Sequence, residues 1–326
     1  MKIAFYGTKP YDRLWFEPLA KEYGYRIFFI ENLLNEDTVV MAKNCDAVCV
    51  FVNDQVTKPI IEKLHDLRVK AILLRSAGYN HVDMKAARGK IHVLRVPSYS
   101  PEAVAEFATA ALLSVNRRLH RAYVRTREFN MKLDGLMGTD LHGKTAGVIG
   151  TGRIGQAMIR ILRGMGMEIL AYDLYPNPDL DVKYVDLADL MAGSDVITLH
   201  CPLTKETHHI INKKTIAQMK KGVYLVNTSR GALVDSQALI EALKQNETFL
   251  GVALDVYEEE DGIFYEDCSD DIVRDDVLAR LMSFPNVLIT SHQGYFTKEA
   301  MKAIALVTLE NAKMLEEGME LINEVK

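Results

Sequence analysis

Short apolar runs alternate with longer stretches of helical periodicity along nearly the whole chain. The runs KIAFYG (2–7), YRIFFI (25–30), AVCVFV (47–52), AILLRS (71–76) and HVLRV (92–96) are rich in β-branched and aromatic residues, and each predicts a strand. A second series begins near Gly143: TAGVIG (145–150), EILAYD (168–173), DVITLH (195–200), GVYLVNT (222–228), LGVALDV (250–256) and NVLITS (286–291). Continuous rather than alternating apolar character suits strands buried on both faces, and helices between them suit parallel pairing. The pattern therefore predicts an α/β chain with two parallel-sheet domains. Between the two series, Ser100-Pro101-Glu102 opens a long helix, with an N-cap followed by proline at the first helical position, and apolar periodicity carries it through Phe129. Asp235 caps a later helix, and the last helix spans roughly 297–323. The segment from Glu258 to Asp276 breaks the rhythm, being acidic and irregular apart from Ile263-Phe264-Tyr265. Crossing points near 100 and 296 let the last helix return to the first domain; two continuous domains are the alternative.

Composition narrows the class. A chain of 326 residues, 48% hydrophobic, suits about two domains with substantial cores. Its net charge of −5 is spread without a basic stripe, which argues against a nucleic-acid surface. Arg117, Arg118, Arg121, Arg125 and Arg127 recur on the long helix and read as a solvated or subunit-contact face. No apolar stretch approaches the roughly 20 residues of a membrane span. The N-terminus lacks the apolar core of a secretion signal, and the four cysteines form no CxxC pair, so reduced thiols in a cytoplasmic protein are expected.

The most specific local signal is Gly150-Thr-Gly152-Arg-Ile-Gly155, placed between a predicted strand and helix, with Asp173 closing the next strand. Gly150 permits the tight turn, Gly152 leaves room for a pyrophosphate and Gly155 lets helix and strand approach. The helix N-terminus offers N–H groups to phosphates. Asp173 suits the adenosine ribose hydroxyls and would repel a 2′-phosphate, which predicts NAD rather than NADP. Ligands of parallel sheets collect beyond the carboxyl ends of the strands, and there the sequence places Arg230, the triplet Glu258–Glu260 and His292. Arginine suits a carboxylate bidentately, histidine suits acid/base work, and a carboxylate beside that histidine would hold it in place. These are the parts needed to reduce a 2-oxo acid. His208 and His209, being adjacent, are expected to diverge, and His200-Cys201 is no better suited, so no metal site is predicted. Cys201 is expected to pack rather than react.

Taken together, the chain resembles the D-specific 2-hydroxyacid dehydrogenases, most of all the fermentative D-lactate branch. The resemblance runs through LLRSAGYNHVDM (73–84), VPSYSPEAVAEFA (96–108), NRRLHRAY (116–123), GKTAGVIGTGRIGQAM (143–158), HCPLT (200–204), NTSRGALVDSQAL (227–239), ALDVYEEEDGIFYED (253–267) and NVLITSHQG (286–294). It implies a discontinuous substrate-binding domain, 1–100 with 297–326, and an NAD-binding Rossmann domain, 101–296, with an active-site cleft between them that closes over substrate. The implied reaction is reversible hydride transfer between NADH and pyruvate, giving D-lactate. Arg230 would bind substrate, His292 would be the acid/base, and Glu260, five residues beyond Asp255, its paired carboxylate. Backbone groups of Ala77 and Gly78 would cradle the substrate carboxylate, with Tyr99 and Tyr295 as pocket walls and Phe296 adding bulk. Implied cofactor contacts are Arg153, Ile154, Asp173, Cys201, Pro202, Thr207, Thr228, Ser229 and Asp255. One departure stands out: Phe51 occupies a position where several lactate-specific relatives carry tyrosine, shifting the weight of carboxylate recognition to Arg230 and the SAG backbone. A homo-oligomer, dimer or tetramer, is implied. Another small 2-oxo acid as substrate, or a non-catalytic NAD-sensing protein of the corepressor type, are the competing expectations.

Overall fold

The computed structural model describes residues 1–260 and 262–325. These residues form two compact units, Met1–Ser100 with Phe296–Lys326 and Pro101–Tyr295.

In the first unit, β1 (Lys2–Phe5), β2 (Arg26–Phe29), β3 (Ala47–Val50), β4 (Ala71–Leu74) and β5 (His92–Leu94) form a parallel sheet in the order β2-β1-β3-β4-β5. Every residue of β3 and β4 is buried, as expected of strands covered on both faces. The apolar runs extend past the strands because the chain leaves the ladder before its polar ends. Beyond β4, the Arg75 guanidinium lies 3.6 Å from Asp12, donates to the Tyr6 carbonyl at 2.6 Å and stacks over Phe5 and Phe51 at 4.3 and 5.1 Å. Asp54 accepts from the Leu34 and Phe51 amides, each at 2.7 Å, and burial pushes its carboxyl above the usual range. A buried charged cluster thus fixes the loops that follow β3 and β4.

The helix Lys298–Glu316 packs against the helix Pro10–Glu22 in this unit, tied by Met1–Glu316 at 3.0 Å and by Asn311 to the Arg95 carbonyl at 2.9 Å. It ends earlier than its periodicity suggests. Gly318 turns the chain at φ +65°, and the tail runs back along β5, with Arg95 and Val325 amides bonding Asn323 and Val93 carbonyls at 3.1 and 2.9 Å.

In the second unit, β6 (Thr145–Ile149), β7 (Glu168–Tyr172), β8 (Lys183–Tyr184), β9 (Val196–Leu199), β10 (Val223–Asn227), β11 (Phe249–Leu254) and β12 (Val287–Ile289) form a parallel sheet ordered β12-β11-β10-β9-β6-β7-β8. The order reverses between β6 and β9, which opens a crevice at their carboxyl ends. One face carries Leu112, Val115, Val148, Ile159 and Leu162; the other carries Leu199, Leu225, Leu239 and Val252.

The helix expected to run unbroken from Pro101 through Phe129 is two helices, Pro101–Asn116 and Leu119–Arg127. Arg118 takes a left-handed conformation at φ 54°, and its guanidinium reaches the carbonyls of Leu250 and Pro285 at 3.0 and 3.4 Å. Asn116 is buried against Tyr224 and Thr139. These tertiary contacts override the local periodicity, and Arg118 leaves the solvated face assigned to it.

Candidate active site

The glycine-rich turn sits at the carboxyl end of β6. At Gly150, φ +93°, a Cβ would lie 2.5 Å from the Cys201 amide nitrogen; at Gly155 it would lie 2.0 Å from the Gly150 carbonyl oxygen. Neither position tolerates a side chain. A Cβ on Gly152 would meet nothing, so open space faces the N-terminus of the helix Arg153–Gly164, where Arg153 and Ile154 occupy the first turn. Asp173 follows β7 and closes the turn from the side. Its carboxylate accepts from the Thr151 amide and hydroxyl at 2.6 and 3.0 Å and from the Tyr175 amide at 2.9 Å. Ionised carboxylates have about four acceptor positions, so capacity for a further donor remains.

Beyond β9 and β10 two loops are tied together. The Ser229 hydroxyl donates to the Cys201 carbonyl at 2.7 Å, and the Thr207 hydroxyl to the Pro202 carbonyl at 2.6 Å. Cys201 is buried, and its thiol is pushed up to about 12, so it packs there as a neutral group. The Thr228 hydroxyl is buried without a hydrogen-bond partner among the described residues. An orphaned hydroxyl is costly unless a ligand supplies its partner. Behind this wall, burial lowers the His200 imidazole to about 4, and it meets the Thr198 hydroxyl at 2.8 Å as a neutral ring.

Arg230 stands at φ −142°, ψ 139°, with its carbonyl held by Asn227 at 2.8 Å and one guanidinium nitrogen donating to the Ser229 carbonyl at 2.6 Å. Gly231 then passes against the next strand end, where a Cβ would lie 2.0 Å from the Tyr257 carbonyl. Segment 230–231 is therefore locked to the segment that carries Glu260. Glu260 and His292, 32 residues apart in sequence, meet at 2.9 Å between Oε1 and Nδ1. The Tyr257 amide holds the second Glu260 oxygen at 3.2 Å.

His292 lies in the left-handed region, φ 54°, and the turn around it is built on Asp255. The Asp255 carbonyl accepts from the His292 amide at 2.7 Å, while its carboxylate accepts from Thr290 at 2.6 Å, Gln293 at 3.0 Å and Gly294 at 2.7 Å. Burial holds the Asp255 carboxyl above the usual carboxylate range, and these donors offset only part of that rise. Tyr295, next to this turn, is buried. In the first unit, the Ala77 and Gly78 carbonyls accept from Arg95 and Ser76 side chains at 3.2 and 2.8 Å, which fixes the SAG backbone, and Tyr99 is partly exposed.

The family model described as "D-isomer specific 2-hydroxyacid dehydrogenase, NAD binding domain" matches residues 109–294. The chain belongs to that family. The dehydrogenase is 50% identical to the D-lactate dehydrogenase of Escherichia coli over 100% of both chains, and resembles that protein's apo structure with a TM-score of 0.91. A structure of the pyruvate reductase of Chlamydomonas reinhardtii superposes with a TM-score of 0.93 at 40% identity, covering 99% of this chain and 98% of that one. The D-lactate dehydrogenase of Lactobacillus jensenii, solved with NAD+, gives 0.83 at 31% identity over 100% of both.

The dehydrogenase uses NAD, and its own residues fit that group: open space at Gly152, acceptor capacity on Asp173 and the orphaned Thr228 hydroxyl all face the same sheet edge. The sequence reading missed Tyr265, whose hydroxyl donates to the His292 carbonyl at 3.1 Å and steadies that residue. It lies in the acidic, irregular segment, where periodicity carries no signal. One expectation is overturned. His208 and His209 do not diverge; their rings stack at 3.9 Å, because His209 turns left-handed at φ 51° and brings both side chains to one side.

Proposed function

We propose that this dehydrogenase reduces pyruvate to D-lactate with NADH, reversibly, with Arg230, Glu260 and His292 as its catalytic residues. The observation that carries the reading is the Glu260–His292 pair at 2.9 Å, with the Arg230–Gly231 backbone packed on the segment that bears Glu260, in a chain identical at half its positions to a D-lactate dehydrogenase. When bound, NADH supplies the hydride that adds to C2. The guanidinium fork of Arg230 holds the substrate carboxylate and turns the carbonyl carbon toward the nucleotide edge. Glu260 occupies His292 Nδ1, which fixes the ring and presents Nε2 as the proton donor. As the hydride reaches carbon, His292 delivers the proton to oxygen, so no alkoxide is left; the reverse reaction returns the proton to the same nitrogen. Backbone groups of Ala77 and Gly78 are assigned to the carboxylate, with Tyr99 and Tyr295 as walls. The Phe51 ring, stacked under Arg75, leaves carboxylate recognition to Arg230 and that backbone.

Steady-state rates with a panel of 2-oxo acids test this. Pyruvate is expected to give the highest kcat/KM, with NADH far above NADPH. One methylene changes specificity by only about 1–3 kcal/mol, so 2-oxobutyrate should be reduced at a measurable lower rate. A clear preference for a branched or hydroxylated acid would overturn the pyruvate assignment.

A homo-oligomer, dimer or tetramer, is proposed through segment 119–137, where Leu119, Tyr123, Phe129, Met131, Leu133 and Met137 are exposed. Sedimentation equilibrium should show at least a dimer at micromolar concentration; a monomer would contradict it. Among the described residues no helix is long and apolar enough to cross a membrane. The cysteines are free thiols, which supports a cytoplasmic setting.

A further inference from the structure

We propose that His208, His209 and Glu258 form a binding site for a divalent transition-metal ion of the Zn2+ class, using none of the side chains assigned to nucleotide or substrate. One ligand atom from each residue lies within 4.8 Å of the other two. His209 Nε2 and Glu258 Oε1 already stand 2.6 Å apart, and the His208 ring lies over that of His209 at 3.9 Å. Nitrogen and oxygen ligands about 2.0–2.1 Å from a tetrahedral zinc ion are about 3.4 Å from one another, so zinc binding opens the His209–Glu258 pair by about 0.8 Å and turns the stacked His208 ring to aim a nitrogen at the same point. Two imidazoles and a carboxylate select zinc, copper or nickel over magnesium or calcium, which prefer all-oxygen shells. Three protein ligands leave a coordination position for water.

The backbone is already set for this. The left-handed His209 is pinned on both sides: its amide donates to the Ala232 carbonyl at 2.9 Å, and its carbonyl accepts from Asn212 at 2.7 Å. The second Glu258 oxygen accepts from the Ser236 hydroxyl at 3.3 Å, the kind of outer contact that orients a ligating carboxylate. The site is reachable, since His209 and Glu258 side chains are 31% and 27% exposed and His208 is exposed. Glu258 also lines a cavity with Glu259, Asp270, Asp271, Asp275 and Asp276, against the single cation Arg274 among its lining residues. That field draws cations toward the cavity wall that Glu258 shares. A clasp between the two loops would need only His209 and Glu258; the stacked His208 ring supplies the third donor that a metal ion uses.

The test is titration of tag-free, metal-free full-length protein with ZnCl2, followed by calorimetry, with X-ray absorption on the 1:1 complex. The wild type should bind one Zn2+ per chain at micromolar Kd, with a first shell of two imidazoles and oxygen and no sulfur. His208→Ala, an exposed position whose fold is checked by circular dichroism, should weaken binding about tenfold or more, and His208→Ala with Glu258→Gln should abolish it. Unchanged Zn2+ binding in both variants, a sulfur ligand from Cys268, or no wild-type binding below millimolar zinc would overturn the proposal.

Discussion

Replacing His292 by alanine is expected to lower kcat for pyruvate reduction about 10²–10⁴-fold while NADH binding, read from nucleotide fluorescence, stays within about twofold of wild type. Glu260 holds Nδ1 at 2.9 Å, so the imidazole has one nitrogen left for substrate, and its removal leaves water as the proton source. The backbone contacts of the turn survive the change, because the Asp255 carbonyl bonds the amide of residue 292 and its carboxylate bonds the Gln293 and Gly294 amides. The φ of 54° costs an L-residue about 1–2 kcal/mol, a cost His292 already bears, and alanine adopts that region less readily than histidine, so the variant also loads the turn. His292→Asn separates the two effects, since asparagine adopts the left-handed region readily. It should lose as much turnover as alanine. Retention of near wild-type pyruvate reduction by both variants would remove His292 from the chemistry.

Arg230→Lys is expected to raise KM for pyruvate about 10–100-fold and leave the NADH Kd nearly unchanged. Hydrogen bonds to charged groups contribute about 1.5–3 kcal/mol, and lysine keeps the charge but loses the fork. The root of the side chain is fixed by Asn227 on the Arg230 carbonyl and by Gly231 against Tyr257, so the shorter ammonium group cannot recover the geometry by backbone movement. Equal weakening of pyruvate and NADH would show that Arg230 acts on the whole sheet edge rather than on the carboxylate.

Much of the architecture was readable from the chain because its strands are buried on both faces and therefore uniformly apolar. The two-residue strand β8 escaped detection, having no periodicity to show. Periodicity also overran where tertiary contacts end an element: it carried the first long helix through Arg118, whose left-handed turn is set by carbonyls of Leu250 and Pro285, far away in sequence. The last helix overran to 323, although Gly318 stood in the sequence as a stop signal. Around the site, the glycine turn and Asp173 are local in sequence and announce themselves. The pairing of Glu260 rather than Glu258 or Glu259 with His292 is not local, and only the family resemblance singled it out. Glu258 turns the other way, to His209 at 2.6 Å. Non-glycine residues in left-handed conformation, His209, Tyr265 and His292, carry much of the detailed geometry, and no sequence pattern marks them.

The sheet edge bearing Arg230, Glu260 and His292 is proposed to convert pyruvate to D-lactate at the expense of NADH. Chiral chromatography of the lactate formed from pyruvate and NADH by the purified enzyme tests it most directly. D-lactate alone, formed in amounts equal to the NADH consumed, is the predicted result. L-lactate, a racemic product, or NADH oxidation without lactate would contradict it.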